Sequence, residues 1–160
     1  NSVQYTYFDN ITFDPDDSFF EVPSGAFDLS QEILSMLDEN PLLDGVTFSG
    51  GDPMDQAAAL IPLASAIKDR DKNLVIFTGY TFEYLQQHWE EKPEFLELLS
   101  YAEILIDGPF VMAKKSLELK FRGSSNQRII DVQKSLSEGH VVLHRIQLQE
   151  MEEHPDWHFG

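Results

Sequence analysis

Four short segments concentrate the side chains able to do chemistry: Ser49-Gly50-Gly51-Asp52-Pro53, Thr78-Gly79-Tyr80, Asp107-Gly108-Pro109-Phe110 and Arg122-Gly123-Ser124-Ser125-Asn126-Gln127-Arg128. In the first, two residues without a Cβ let a ligand approach the backbone closely, and the Ser49 hydroxyl and Asp52 carboxylate can orient a polar or cationic group such as an amine. Asp107 follows an apolar run and precedes Gly-Pro, which places a carboxylate at a loop rim. The last segment is dense in hydrogen-bonding groups, and its guanidinium and amide groups suit a carboxylate, a ribose or a partner's backbone. Opposing all of this is a hard exclusion. The chain has no cysteine, so it can form no disulfide and no thiolate-ligated metal site within these 160 residues.

Each segment also has a plainer reading. Paired glycines can simply turn a strand sharply into a helix that starts at Pro53. Asp-Gly supports a turn through its own side-chain hydrogen bonds, and the arginine-flanked segment can be a solvated loop. The Walker spacing with its lysine and the three-glycine dinucleotide fingerprint are both missing, so the glycines do not read as a phosphate loop. His140 and His144 stand four apart, as do His154 and His158. The first pair lies in a strand-like run where this spacing does not converge as it does on a helix, and neither pair is assigned a metal. Trp89, at helical spacing from Phe82 and Leu85, reads as core.

The elements that must position these segments follow a rhythm. Residues 1–27 are rich in Asp, Phe and Pro without a clear period and read as a loop-rich approach segment. Asp28 resembles a helix N-cap with Gln31 three positions on, and Leu29, Ile33, Leu34 and Leu37 mark one face of a helix ending near Asn40. Apolar runs at Val46–Phe48, Leu74–Phe77 and Ile104–Ile106 read as buried strands, each entering a glycine turn. Helical patterns separate them: Leu60, Leu63, Ala64 and Ile67, then Phe82 to Trp89, then Phe95 to Leu99 after Pro93. Strand starts about 30 residues apart match a strand-helix unit, so the expectation is an α/β domain over residues 28–149 with a parallel sheet. In such folds the loops leaving the carboxyl ends of the strands line the ligand site. Val141 to Leu143 reads as a late strand and residues 150–160 as an acidic surface tail.

Bulk properties narrow the partners. With 28 acidic and 11 basic residues the formal charge is -17, which opposes a nonspecific grip on nucleic acid or on an anionic membrane. The longest near-apolar stretch, residues 57–67, falls well short of the roughly 20 residues a membrane span needs. No signal-peptide pattern opens the chain, so the expected location is cytoplasmic.

Taken in order, the four segments resemble the anaerobic ribonucleoside-triphosphate reductase activating proteins of the radical S-adenosylmethionine superfamily, over residues 27–143. The resemblance implies an incomplete parallel (β/α) barrel holding a 4Fe-4S cluster and S-adenosylmethionine. It also implies reductive cleavage of that cofactor to a 5′-deoxyadenosyl radical, which takes hydrogen from a glycine of the partner, the large reductase subunit, a glycyl-radical protein. By the same resemblance, Gly50, Gly51 and Asp52 bind the methionine amino end, with Ser49 at their border. Thr78 and Asp107 take cofactor-facing positions, and Arg122, Ser124, Asn126 and Gln127 form a loop facing cofactor or partner.

The family's Cys-x3-Cys-x2-Cys loop is absent, so the cluster is expected only in a longer parent protein that has also kept its first strand. Asn1-Ser2 would begin just past that loop, and loss of the strand would open one sheet edge. These residues alone are expected to be inactive, with no catalytic residue and no metal ligand assigned. Two other readings stay open: a cluster-free module that binds S-adenosylmethionine or docks on a partner, and an activase of another glycyl-radical enzyme of the formate-lyase type.

Overall fold

The computed structural model describes residues 5–8, 11–13, 19–23, 30–116 and 122–156. Its centre is a mixed seven-stranded sheet in which every strand lies beside its neighbours in sequence. The strands are β1 (Tyr5–Phe8), β2 (Ile11–Phe13), β3 (Phe19–Pro23), β4 (Gly45–Ser49), β5 (Asn73–Phe77), β6 (Ile104–Asp107) and β7 (Arg128–Asp131). Four of them, β3 to β6, run parallel. The connections between these four carry helices: α1 (Ser30–Glu39), α2 (Ala57–Asp69), and the pair α3 (Phe82–His88) and α4 (Pro93–Ser100). A right-handed crossover repeated in one direction along a sheet puts every helix on the same face. The packing agrees, since α1 touches α2, α2 touches α4 and α4 touches α5 (Val132–Glu138).

Strand parity divides the core. Val46, Phe48, Leu74, Ile76, Leu105 and Ile130 point to the helix side and join Ile33, Leu37, Leu60, Leu63, Ile67, Phe82, Leu85 and Leu98 in one cluster. Trp89 packs on this cluster, edge-on to Phe82 with ring centroids 6.0 Å apart. The alternate positions Val75, Ile106 and Ile129, with Phe77 and Ile104, face the other way and are covered by Ile146 of α6 (Arg145–Glu153). Among the described residues no helix is long and apolar enough to cross a membrane.

Several expectations change. The sheet is not parallel throughout: β7 returns antiparallel to β6, and the described residues of the segment joining them form no crossover α-helix. Three strands lie within the segment read as loop-rich, and the antiparallel β1–β2 pair extends the sheet beyond β3. Short strands broken by Asp and Pro carry little periodic signal. The Val141–Leu143 run contributes a single bridge, Ile130 with Leu143. Residues read as tail from Glu150 onward continue α6 to Glu153, and Glu150 is only 2% exposed. The Asp28 cap and His158 lie outside the described residues.

Helix α6 starts on an unusual cap. The Nδ1 atom of His144 accepts the Ile146 N–H at 3.1 Å, which a ring nitrogen does only while unprotonated. Burial lowers the His144 pKa, opposed by nearby Asp131 and assisted by Arg145 and Lys134. A histidine that protonates less readily when folded contributes its full stability above its unfolded pKa of about 6.5, and loses it as pH falls through the lower folded value. Urea unfolding should therefore show stability declining below about pH 6.5 in the parent chain. His144→Asn, which caps without titrating, should remove that component. A histidine-sized slope retained in His144→Asn would contradict the cap's role.

Candidate functional site

The site is assembled where β4, β5 and β6 end. Each of these three strands stops at a glycine turn, and the turns are cross-linked by side chains that the sequence places just past the strand. After β4, Gly50 and Gly51 adopt left-handed conformations with φ 64° and 44°, which an L side chain adopts only with strain. Asp52 then caps the short 3-10 turn at Pro53–Gln56, its Oδ1 accepting the Met54 N–H at 3.0 Å. The same carboxylate accepts the Thr78 hydroxyl at 2.8 Å and, through Oδ2, the Gly79 N–H at 2.8 Å. Asp52 thus ties the loop after β4 to the loop after β5.

The second loop is tied in turn to the third. The Thr78 N–H donates to the Ile106 carbonyl and the Gly108 N–H to the Tyr80 carbonyl, both at 2.9 Å. Tyr80 donates its hydroxyl to Asp55 at 2.5 Å. That bond, with burial and the negative charges of Asp55 and Asp52, pushes the phenol pKa up to about 12, so Tyr80 stays a neutral donor at ordinary pH.

Asp107 ends β6 on the helix side and is 1% exposed. Its Oδ2 accepts the Phe82 N–H at 2.8 Å at the start of α3, and Arg128 donates to both oxygens at 3.0 and 2.5 Å. Arg128 also reaches Glu83 at 2.6 Å, an interaction that lowers the Glu83 pKa and, with the Asp107 bond first, raises that of Arg128.

From this pair onward the antiparallel register of β6 and β7 continues in a different form. The backbone ladder matches Leu105 with Ile130, Ile106 with Ile129 and Asp107 with Arg128. Beyond it, side chains of the returning strand bond to the backbone of the departing one. Gln127 donates to the Gly108 carbonyl at 3.0 Å and Asn126 to the Pro109 carbonyl at 2.8 Å, while the Ser124 hydroxyl accepts the Val111 N–H at 3.1 Å. Gly108, with φ 96°, has left the extended conformation and Pro109 has no N–H, so a backbone ladder cannot proceed there and the side chains replace it.

Arg122, 5% exposed, donates to the Gln127 carbonyl at 3.2 Å and is paired with Glu150 of α6. The arginine-flanked segment is therefore knitted into the body of the protein.

A cleft of about 260 Å³ opens between these loops. Gly50, Gly51 and Asp52 contribute from the first loop, Thr78 and Gly79 from the second, and Gly108, Phe110 and Gln127 from the third or its strap. Of the residues singled out from sequence, Gly50, Gly51, Asp52, Thr78 and Gln127 thus meet at one place. Ser49 (8% exposed), Asp107, Arg122, Ser124 and Asn126 stand behind it, and the described bonds of the last four hold the lining loops in place. Phe110, Arg128, Glu83 and Glu150 are the additions that sequence reasoning missed. Phe110 and Arg128 end two of the motifs, whereas no local pattern connects Glu150 with a residue 28 positions away.

Asp52 is the charged residue lining the cleft, which favours a cationic group in a ligand. Among the described residues no group of three His, Cys, Asp or Glu side chains stands together to hold a metal ion.

Comparison with known proteins places these observations. A family model described as a 4Fe-4S single cluster domain matches residues 21–130. The chain is 37% identical over 89 residues to an anaerobic ribonucleoside-triphosphate reductase-activating protein of Pasteurella multocida, covering 53% of this chain and 54% of that one. Proteins of the same name from Haemophilus influenzae and Enterobacteria phage T4 are 31% and 34% identical over 106 and 105 residues, covering 64% and 60% of their lengths. The chain thus spans roughly half to two thirds of the curated relatives it matches. No solved structure matches it.

Asp107→Asn should destabilise the protein by about 3 kcal/mol in urea unfolding, towards the low end for a broken buried ion pair because Arg128 is 29% exposed. Adding Arg128→Gln should cost less than the sum of the two single changes. Additive losses would show that the pair is not an energetic unit.

Proposed function

Because the chain belongs to the 4Fe-4S single cluster domain family, we propose that it is the S-adenosylmethionine-binding part of an activating protein for an anaerobic ribonucleoside-triphosphate reductase. The observation that carries the reading is the meeting of the strand-end loops at one cleft that combines left-handed glycine backbone with a carboxylate. The sequential strand order with helices on one face supports a partial barrel of the radical S-adenosylmethionine type, with its body in residues 28–149.

The fit differs for the two groups the family implies. S-adenosylmethionine is compatible with the residues present: Gly50 and Gly51 admit close approach, and Asp52 brings a carboxylate to the cleft lining for the methionine ammonium. The Thr78 hydroxyl orients that carboxylate by sharing its one hydrogen between the two oxygens, 2.8 and 3.0 Å away. When bound, the cofactor would supply the carbon-sulfur bond whose reductive cleavage the sequence resemblance implies. A 4Fe-4S cluster is not compatible with these residues, because the sequence holds no thiolate and the described residues hold no substitute group of ligands. These residues then bind and orient, and the electron source lies outside them. The partner in this reading is the large, glycyl-radical subunit of the reductase.

Calorimetric titration of the 160-residue chain should detect S-adenosylmethionine binding that Asp52→Asn weakens about tenfold, as loss of one charge-assisted hydrogen bond would. With dithionite the chain should form no 5′-deoxyadenosine. An absence of binding would overturn the pocket assignment, and 5′-deoxyadenosine formation would overturn the assignment of the electron source to a separate part.

A further inference from the structure

Phe110 is an exposed ring held in an unusual seat. Its side chain remains 49% exposed and lines the cleft, although it follows the buried strand β6 and could have turned inward. One part of the ring lies against Gly123. A Cβ built on Gly123 would come within 2.9 Å of Cδ1, closer than such contacts occur, and 3.1 Å of Cε1, so any other residue here would force the ring to shift from this seat. Gly123 is itself fixed, its N–H donating to the Gln127 side-chain oxygen at 2.9 Å. That Gln127 also holds the Gly108 carbonyl, two residues before the ring. The arrangement keeps an aromatic face at the cleft at the cost of leaving it wet.

The rest of this wall is chemically quiet. The Gly108 and Pro109 carbonyls receive Gln127 and Asn126, and Ser124 donates to the Asn126 oxygen at 2.7 Å while accepting the Val111 N–H. Polar groups on this side are turned into the strap, and the first loop supplies the carboxylate. The cleft lining therefore combines a carboxylate at Asp52 with an aromatic ring at Phe110, a pair of features matched by a ligand that carries both a cationic group and a flat heteroaromatic ring.

We infer that Phe110 is the stacking face for the planar ring of the cleft's ligand and that Gly123 is the positioning residue that seats it. The inference rests on the S-adenosylmethionine reading above and assigns the adenine end of that ligand to Phe110. Stacking of a base on an aromatic side chain corresponds to a roughly 5- to 150-fold change in affinity.

The test is calorimetric titration of the full 160-residue chain and of Phe110→Ala, Phe110→Trp and Gly123→Ala with three probes: S-adenosylmethionine, adenosine, and methionine, which lacks the ring. Phe110→Ala should weaken the first two by at least fivefold, leave methionine unchanged, and be rescued by Phe110→Trp. Gly123→Ala should weaken the same two probes, with a urea midpoint checked alongside so that general loss of fold is recognised. Equal binding of adenosine and S-adenosylmethionine by the parent chain and by Phe110→Ala would overturn this inference while leaving the pocket intact. A uniform loss for all three probes in a folded Phe110→Ala would equally overturn it, since that would make the ring a structural prop. Failure of the parent chain to bind any probe would overturn the underlying reading and the inference together.

Discussion

The ion pair between Asp107 and Arg128 is the joint on which the site depends. It sits at the last backbone match of β6 and β7, where ordinary sheet pairing has to stop. A buried carboxylate is costly unless charge and hydrogen bonds compensate it, and Asp107 receives both from Arg128 and a third bond from the first N–H of α3. One residue thus fixes a strand end, a helix start and the point at which the chain enters the cleft. Glu83 extends the pair to the outer face of α3.

Past that joint the geometry is inherited. Because Arg128 is matched to Asp107, Gln127 falls opposite Gly108 and Asn126 opposite Pro109, and their amides reach the carbonyls that a twisted strand leaves unmatched. Long polar side chains can span a gap that two backbones cannot close once one of them has bent away. The cleft wall is in this sense an outgrowth of the sheet. On the other side Asp52 performs the equivalent task, joining two loops with one carboxylate while its own loop stays open to a ligand.

How much of this could be read from the residues depends on the range of the cause. The β/α rhythm is local: a run such as Leu74 to Phe77, a glycine turn and a helical face each announce themselves within a dozen residues. The glycine loops were legible for the same reason, and so was their convergence, which follows from parallel strands. The early strands were not, because Tyr5–Phe8, Ile11–Phe13 and Phe19–Pro23 are only four, three and five residues long, too short for a period to register. Helix α6 was hidden by its buried polar residues. Gln147, which accepts the Ile129 N–H, and Glu150, which meets Arg122, occupy inward positions where a pattern reading expects apolar side chains. The tasks of Asn126 and Gln127 could be seen only once the β6–β7 register was known, since the motif by itself does not say which backbone it faces.

The central claim is that the Ser124 to Arg128 side chains hold the cleft wall in the register of the sheet. Amide hydrogen exchange on Ser124→Ala tests it most directly, because Ser124 is fully buried and its hydroxyl is the acceptor for the Val111 N–H. The account predicts that exchange at Val111 accelerates by roughly tenfold or more, as loss of one protecting hydrogen bond would allow, while Leu105 and Ile106 in β6 stay protected. Unchanged exchange at Val111, or equal acceleration throughout β6, would contradict it.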